Sequence, residues 1–200
     1  MISEELLGFI RQQGGSATSK EMVGAGFSPS LISRLLKKGE IEQVTRGVYI
    51  LADEFEDDFS AISMRWTKCV FSHESALYLR GLSDRTPERF DVTVPRGYNP
   101  TGFKGREFPL RTHYCPADLY ELGLSSAVTP MGNDVAAYDL ERCICDIVKQ
   151  KRSGNVDPQV FASAVSGYFG GKNRDISKLA SYAKKLGVFD EVHTYMEVMA

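Results

Sequence analysis

Ser28-Pro-Ser-Leu-Ile-Ser-Arg-Leu-Leu-Lys-Lys-Gly39 decides how the first part of this 200-residue chain folds. Ser28 offers a capping hydroxyl, Pro29 suits a first helical position, and Gly39 ends the run, so the pattern predicts a helix over 29–38. Leu31, Ile32, Leu35 and Leu36 share one face of that helix. Working outward, Ser3 can cap an earlier helix with an apolar face of Leu6, Leu7, Phe9 and Ile10, closed by Gly14-Gly15. Thr18-Ser-Lys-Glu21 is a capping-box pattern for a short helix stopping near Gly24-Ala-Gly26. Downstream, Glu40–Val44 and Val48–Leu51 read as extended runs joined through Thr45-Arg46-Gly47, with Gly47 free to take the positive φ of a tight hairpin. Helix, short helix, turn, helix and hairpin is the order of a winged helix-turn-helix.

The second face of the 29–38 helix is small, polar and cationic: Ser30, Ser33, Arg34 and Lys37 lie at helical spacing. Short side chains allow close approach to a major groove, where Arg34 can offer two donors to guanine O6 and N7. Lys37 and Lys38 suit phosphates, and Thr45 and Arg46 sit at the hairpin tip, within reach of a minor groove. A solvated helix face also carries such cations, and some winged modules bind protein. The complete order of elements is what favours DNA.

Composition bounds the rest. The formal net charge is −2, and the four cysteines are too few for a disulfide scaffold in a chain this long. No apolar run reaches membrane-spanning length, and the N-terminus is not a secretion signal, which predicts a cytoplasmic protein. Residues 1–52 carry six basic and five acidic side chains, or +1, followed by the acidic block Asp53-Glu-Phe-Glu-Asp-Asp58. That block reads as a linker. The expected organisation is α+β: an N-terminal winged helix-turn-helix over 1–52, an acidic linker over 53–58, and a larger α+β domain over 59–200 with a small sheet and a helical C-terminal half. Within it, Ser72 should cap a helix running to Leu82, and Phe90–Val94 and Leu110–Tyr114 should be strands. The loop 96–109 carries Arg96, Lys104 and Arg106, and short strands are expected within 129–136. Helices should follow from Asp139 onward and near 157–170, 175–187 and 188–199.

Signals for catalysis are sparse. No nucleophile elbow, P-loop, zinc-protease motif or complete dinucleotide fingerprint occurs. His73-Glu74 is the strongest acid–base pair by adjacency, but a histidine beside a helix start is more often structural. His73, His113 and His193 show no ligand spacing, so no metal or cofactor is expected. Asp91, Glu107 and Asp118 form no clear nuclease pattern, and Cys143 lies on an apolar stripe as a core residue. Lys149, Lys151, Arg152, Lys178, Lys184 and Lys185 give the C-terminal half a cationic excess. It reads either as helix-end stabilisation or as a surface for nucleic acid or another polyanion.

Taken together, Gly47-Val-Tyr49, Phe71-Ser-His-Glu-Ser-Ala-Leu-Tyr-Leu-Arg-Gly-Leu82, Thr86-Pro87, Phe90–Pro95 and Tyr138-Asp-Leu-Glu-Arg-Cys-Ile-Cys-Asp146 resemble the AbiEi antitoxins of type IV toxin–antitoxin (abortive-infection, phage-defence) systems. The resemblance implies a non-enzymatic repressor that binds inverted repeats in its own promoter through the winged helix. It assigns DNA contact to Arg34, Lys37, Lys38 and Arg46, and a less specific DNA or antitoxicity role to the C-terminal cations. It further implies a nucleotidyltransferase-like toxin as functional partner without a stable complex, and a monomer that assembles cooperatively on double-stranded promoter DNA. The alternative from the residues alone is a module that holds a protein or RNA partner through the winged domain and the basic C-terminal face.

Overall fold

The computed structural model describes residues 2–99, 103 and 108–199, and the chain divides into two compact units, 1–67 and 68–200. The first contains α1 (Ile2–Gln12), β1 (Ser16–Thr18), α2 (Ser19–Gly24), α3 (Pro29–Lys38), β2 (Ile41–Thr45), β3 (Val48–Leu51) and α4 (Asp58–Arg65). Local chemistry sets its corners. At α2, Thr18 Oγ1 accepts from the Glu21 amide at 3.1 Å while the Glu21 carboxylate accepts from the Thr18 amide at 2.7 Å, so the capping box closes both ways. The Leu31 amide donates to Ser28 Oγ at 3.3 Å, Pro29 opens α3, and Gly39 ends it in the left-handed region at φ 69°. Gly47, at φ 81°, turns the chain between β2 and β3, and a Cβ there would meet Ser19 Oγ at 3.3 Å.

Those elements pack around Leu6, Ile10, Met22, Leu31, Ile32, Leu35 and Ile41. Three antiparallel strands in the order β1-β3-β2 form the sheet, with a register shift between Gln43 and Thr45. The strand Ser16–Thr18 was not expected from the sequence.

A larger correction concerns the boundary. The helix α4 packs against all three strands, buries Phe59, Ala61 and Ile62, and is followed by buried Trp66. The expected linker over 53–58 is therefore part of this unit: Asp57 Oδ1 caps α4 by accepting from the Ser60 amide at 3.1 Å, and Asp53 meets Arg11 at 3.7 Å. Residues 1–67 hold seven basic and ten acidic side chains, so the unit carries −3 rather than the +1 of residues 1–52.

The second unit contains β4 (Val70–Phe71), α5 (His73–Leu79), β5 (Phe90–Pro95), β6 (Leu110–Cys115), α6 (Ala117–Tyr120), β7 (Leu124–Val128) and β8 (Asp134–Tyr138). Four helices complete it: α7 (Leu140–Arg152), α8 (Pro158–Gly170), α9 (Ile176–Leu186) and α10 (Phe189–Met199). The five-stranded sheet has the order β6-β5-β4-β8-β7, parallel between β5 and β6 and between β4 and β8, antiparallel elsewhere. Of the short strands expected within 129–136, β8 begins there at Asp134, while β7 ends at Val128 and 129–133 is the turn between the two. The helix α5 ends at Leu79, short of Leu82.

Helix α7 is the axis of the unit. Its Cys143, Ile144, Ile147 and Val148 join Val160, Phe161, Leu179 and Val192 in one core, each large aliphatic side chain worth about 1.5–3 kcal/mol on burial. The chain is thus α+β throughout. No helix among the described residues is long and apolar enough to cross a membrane.

Candidate nucleic-acid interface

Helix α3 presents its two faces as its spacing requires. Leu31, Ile32 and Leu35 are buried, while Ser30, Ser33, Arg34, Lys37 and Lys38 are exposed. The Ser28 and Ser30 hydroxyls share a 2.9 Å hydrogen bond, Arg34 donates to Ser3 Oγ at 3.1 Å, and Lys38 pairs with Glu40 at 3.4 Å. None of these exposed bonds is costly to exchange for a phosphate or a base edge.

Arg46 is exposed at the tip of the hairpin, and its backbone carbonyl accepts from the Arg65 guanidinium of α4. Sequence reasoning had no signal for this brace, because Arg65 lay beyond the expected domain edge. Thr45 requires a correction. It is only 3% exposed, since the register shift turns its side chain inward, and it has no access to a groove.

The C-terminal cations are mostly tied into the protein. Lys178 bonds Asp139 Oδ2 at 3.0 Å and Glu141 Oε2 at 2.9 Å, which removes it from any free polyanion surface. Arg152 donates to the Gly187 carbonyl at 3.0 Å and to Glu191 at 3.2 Å. Lys151 lies 4.1 Å from the Phe161 ring centroid and donates to Tyr195 Oη at 2.9 Å, and Lys184 sits 4.9 Å from the Phe189 ring. Lys149 and Lys185 are exposed. Lys151 and Arg152 lie in the last turn of α7, and Lys178, in the first turn of α9, is held by Asp139 and Glu141, which leaves a sparse cationic surface. Of the loop cations, Lys104 and Arg106 lie outside the described residues, as does Glu107.

His73 and Glu74 do not work as a pair. Glu74 bonds Arg111 at 3.1 Å, whereas the His73 ring stacks on His113 with centroids 3.7 Å apart. Ser72 does not cap α5 with its side chain; its hydroxyl meets His73 Nδ1 at 3.0 Å and accepts from Thr93 at 2.9 Å. Asp91 is fully buried on β5, bonded by Arg111 at 2.5 and 2.6 Å and lying 2.6 Å from His113 Nε2. Burial pushes the Asp91 carboxyl up, but the His113 and Arg111 bonds outweigh it and hold it below the ordinary range. Burial also lowers His73 to about 4, against the opposing field of Asp146. One nitrogen from each ring and an Asp91 oxygen lie within 4.8 Å of one another, a grouping that spacing along the chain did not reveal. Asp118 is exposed on α6 and joins none of them, and Cys143 is a buried core thiol whose pKa burial drives up.

With that geometry in place, the comparisons with known proteins are informative. Residues 4–52 match the family model described as a transcriptional regulator, AbiEi antitoxin. Residues 4–52 are thus similar to the AbiEi antitoxin regulators. The AbiEi match runs from α1 through β3, so it contains α3 and the hairpin but not α4. Over nearly the whole chain, the fold is similar to the crystal structure of the RV2827C protein from Mycobacterium tuberculosis, with a TM-score of 0.50, 16% identity, and coverage of 98% of this chain and 80% of that one. At that identity the likeness concerns fold alone. No curated protein matches the chain in sequence.

Proposed function

We propose that this protein is the antitoxin of a type IV toxin–antitoxin system and represses its own operon by binding inverted repeats in the promoter. The observation that carries the reading is the exposed face of α3, where Ser30 and Ser33 flank Arg34 and Lys37 within an AbiEi-type module. The two serines let the helix backbone approach base edges, and Arg34 exchanges its bond to Ser3 for O6 and N7 of a guanine. Lys37 and Lys38 hold phosphates, and Arg46 enters the neighbouring minor groove at the end of a wing braced by Arg65. The −3 charge of residues 1–67 opposes nonspecific binding, so one copy grips weakly and two copies on an inverted repeat supply the affinity. The functional partner is a nucleotidyltransferase-like toxin with which no lasting complex forms.

The test is binding to the native promoter by gel shift at several salt concentrations. Arg34→Ala should cost about 1–3 kcal/mol of specific binding and relax base choice. Lys37→Ala should weaken cognate and unrelated duplexes alike. Undiminished promoter affinity in both Arg34→Ala and Arg46→Ala would remove the DNA reading. Stoichiometric co-purification of the toxin would instead make the chain a protein-holding module.

A further inference from the structure

We propose that His73, His113 and Asp91 form a binding site for a divalent transition-metal ion of the zinc class, placed where α5 meets strands β5 and β6. The three side chains already bring two imidazole nitrogens and a carboxylate oxygen within 4.8 Å of one another. Two nitrogens and one oxygen suit zinc or its neighbours and not magnesium or calcium, which take oxygen donors. His73 and His113 line a cleft of about 470 Å³ shared with Arg111, Asp146, Lys149 and Gln150, which leaves space for a further ligand such as water, while Asp91 is fully buried.

Each candidate ligand is held by a second partner, the arrangement that orients metal-binding side chains. Ser72 Oγ fixes His73 Nδ1, and Ser72 is itself held by Thr93. Arg111 grips Asp91 and is in turn held by Glu74. Glu74 and Asp91 against Arg111 leave one negative charge beside the two imidazoles, and on the cleft Asp146 is paired with Arg142 while Lys149 is the opposing cation. Two further features point the same way. His73 is the one non-glycine residue with positive φ among those described, at 48°, a strained backbone at a residue whose ring stacks on His113. On the same cleft, Gln150 Oε1 is buried without a hydrogen-bond partner among the described residues, an acceptor left for a water in the cleft.

Binding replaces the hydrogen bond between His113 Nε2 and Asp91 Oδ1, now 2.6 Å, with two metal bonds. The His113 proton moves to Nδ1. Bonds of about 2.0–2.1 Å in tetrahedral geometry separate ligand atoms by roughly 3.3 Å, so the pair opens by less than an ångström and the stacked rings turn until their nitrogens converge. Arg111 keeps Asp91 Oδ2. The ion ties the start of α5 to the sheet.

The experiment is titration of full-length, chelator-stripped protein with Zn²⁺ by calorimetry and with Co²⁺ by visible absorption. About one ion per chain is expected, with Co²⁺ bands typical of four- or five-coordinate nitrogen and oxygen ligation. His73→Gln and His113→Gln should each lower affinity more than about tenfold, whereas His193→Gln on exposed α10 should leave it unchanged. A readout independent of variants is the histidine ring NMR spectrum, in which Zn²⁺ should move His73 and His113 and spare His193. Absence of saturable binding, affinity retained in the His73→Gln/His113→Gln double variant, or ring shifts confined to His193 would each overturn the site.

Discussion

Arg142 is almost wholly enclosed, yet every direction of its guanidinium is answered. Its Nε bonds both Asp146 oxygens at 3.0 and 3.1 Å, Nη1 donates to the Leu119 and Leu122 carbonyls, and the plane lies 4.1 Å from the Tyr138 ring centroid. Removing it leaves Asp146 buried and uncompensated. Arg142→Ala should therefore cost about 3–5 kcal/mol in denaturant unfolding, and the double variant Arg142→Met/Asp146→Leu should recover much of that loss. His73 gives a residue-scale pH effect in metal-free protein. Its folded imidazole sits near 4 and the unfolded one near 6.5, so the unfolded state binds the extra proton between those values. Stability should be level above pH 6.5 and fall by about 3 kcal/mol as pH drops towards 4. Unfolding curves across that window should be flatter in His73→Gln.

Among the elements, the β2–β3 hairpin depends on a glycine and an arginine that need not touch a ligand. Gly47→Ala meets both a positive φ and the Ser19 hydroxyl and should destabilise the first unit by about 1 kcal/mol or more. Arg65→Ala removes the brace on the Arg46 carbonyl and should weaken promoter binding less than Arg34→Ala does, with the salt dependence nearly unchanged. Elements with strong local punctuation were legible in the sequence: Thr18 with Glu21, Ser28-Pro29 and Gly39 mark α2 and α3 without help from tertiary contacts. The strand β1 was not, because three residues after a glycine pair carry no periodicity, and its existence comes from pairing with β3. The inward turn of Thr45 follows from a register shift that hairpin chemistry does not encode. The His73, Asp91 and His113 grouping was equally hidden. Parallel register sets Asp91 beside Arg111 and Thr93 beside His113, and the period of two puts both pairs on one face. The alternation in Leu110–Cys115 was the available signal, but its partner strand and register were not.

At the scale of the whole molecule, charge is divided unevenly: −3 over residues 1–67, against seventeen basic and sixteen acidic side chains, or +1, over 68–200. If the proposed reading holds, affinity for an inverted repeat should fall with salt at a slope set by the few phosphate contacts of Lys37 and Lys38, about −2 per bound copy. Fluorescence anisotropy against ionic strength measures it, and a slope near −8 per copy would require cations beyond this unit. The acidic block Asp53–Asp58 misled the domain boundary because a run of carboxylates looks like a solvated tether, whereas here its end caps a helix.

That helix has a practical consequence for anyone dissecting the protein. Phe59 and Ile62 are the lid of the three-stranded sheet, so a fragment ending at Leu51 would carry every residue assigned to the groove and still expose a greasy underside. Such a fragment should self-associate on a sizing column at concentrations where one ending at Thr67 runs as a single small species, and loss of DNA binding in the shorter piece would report a missing roof rather than a missing contact.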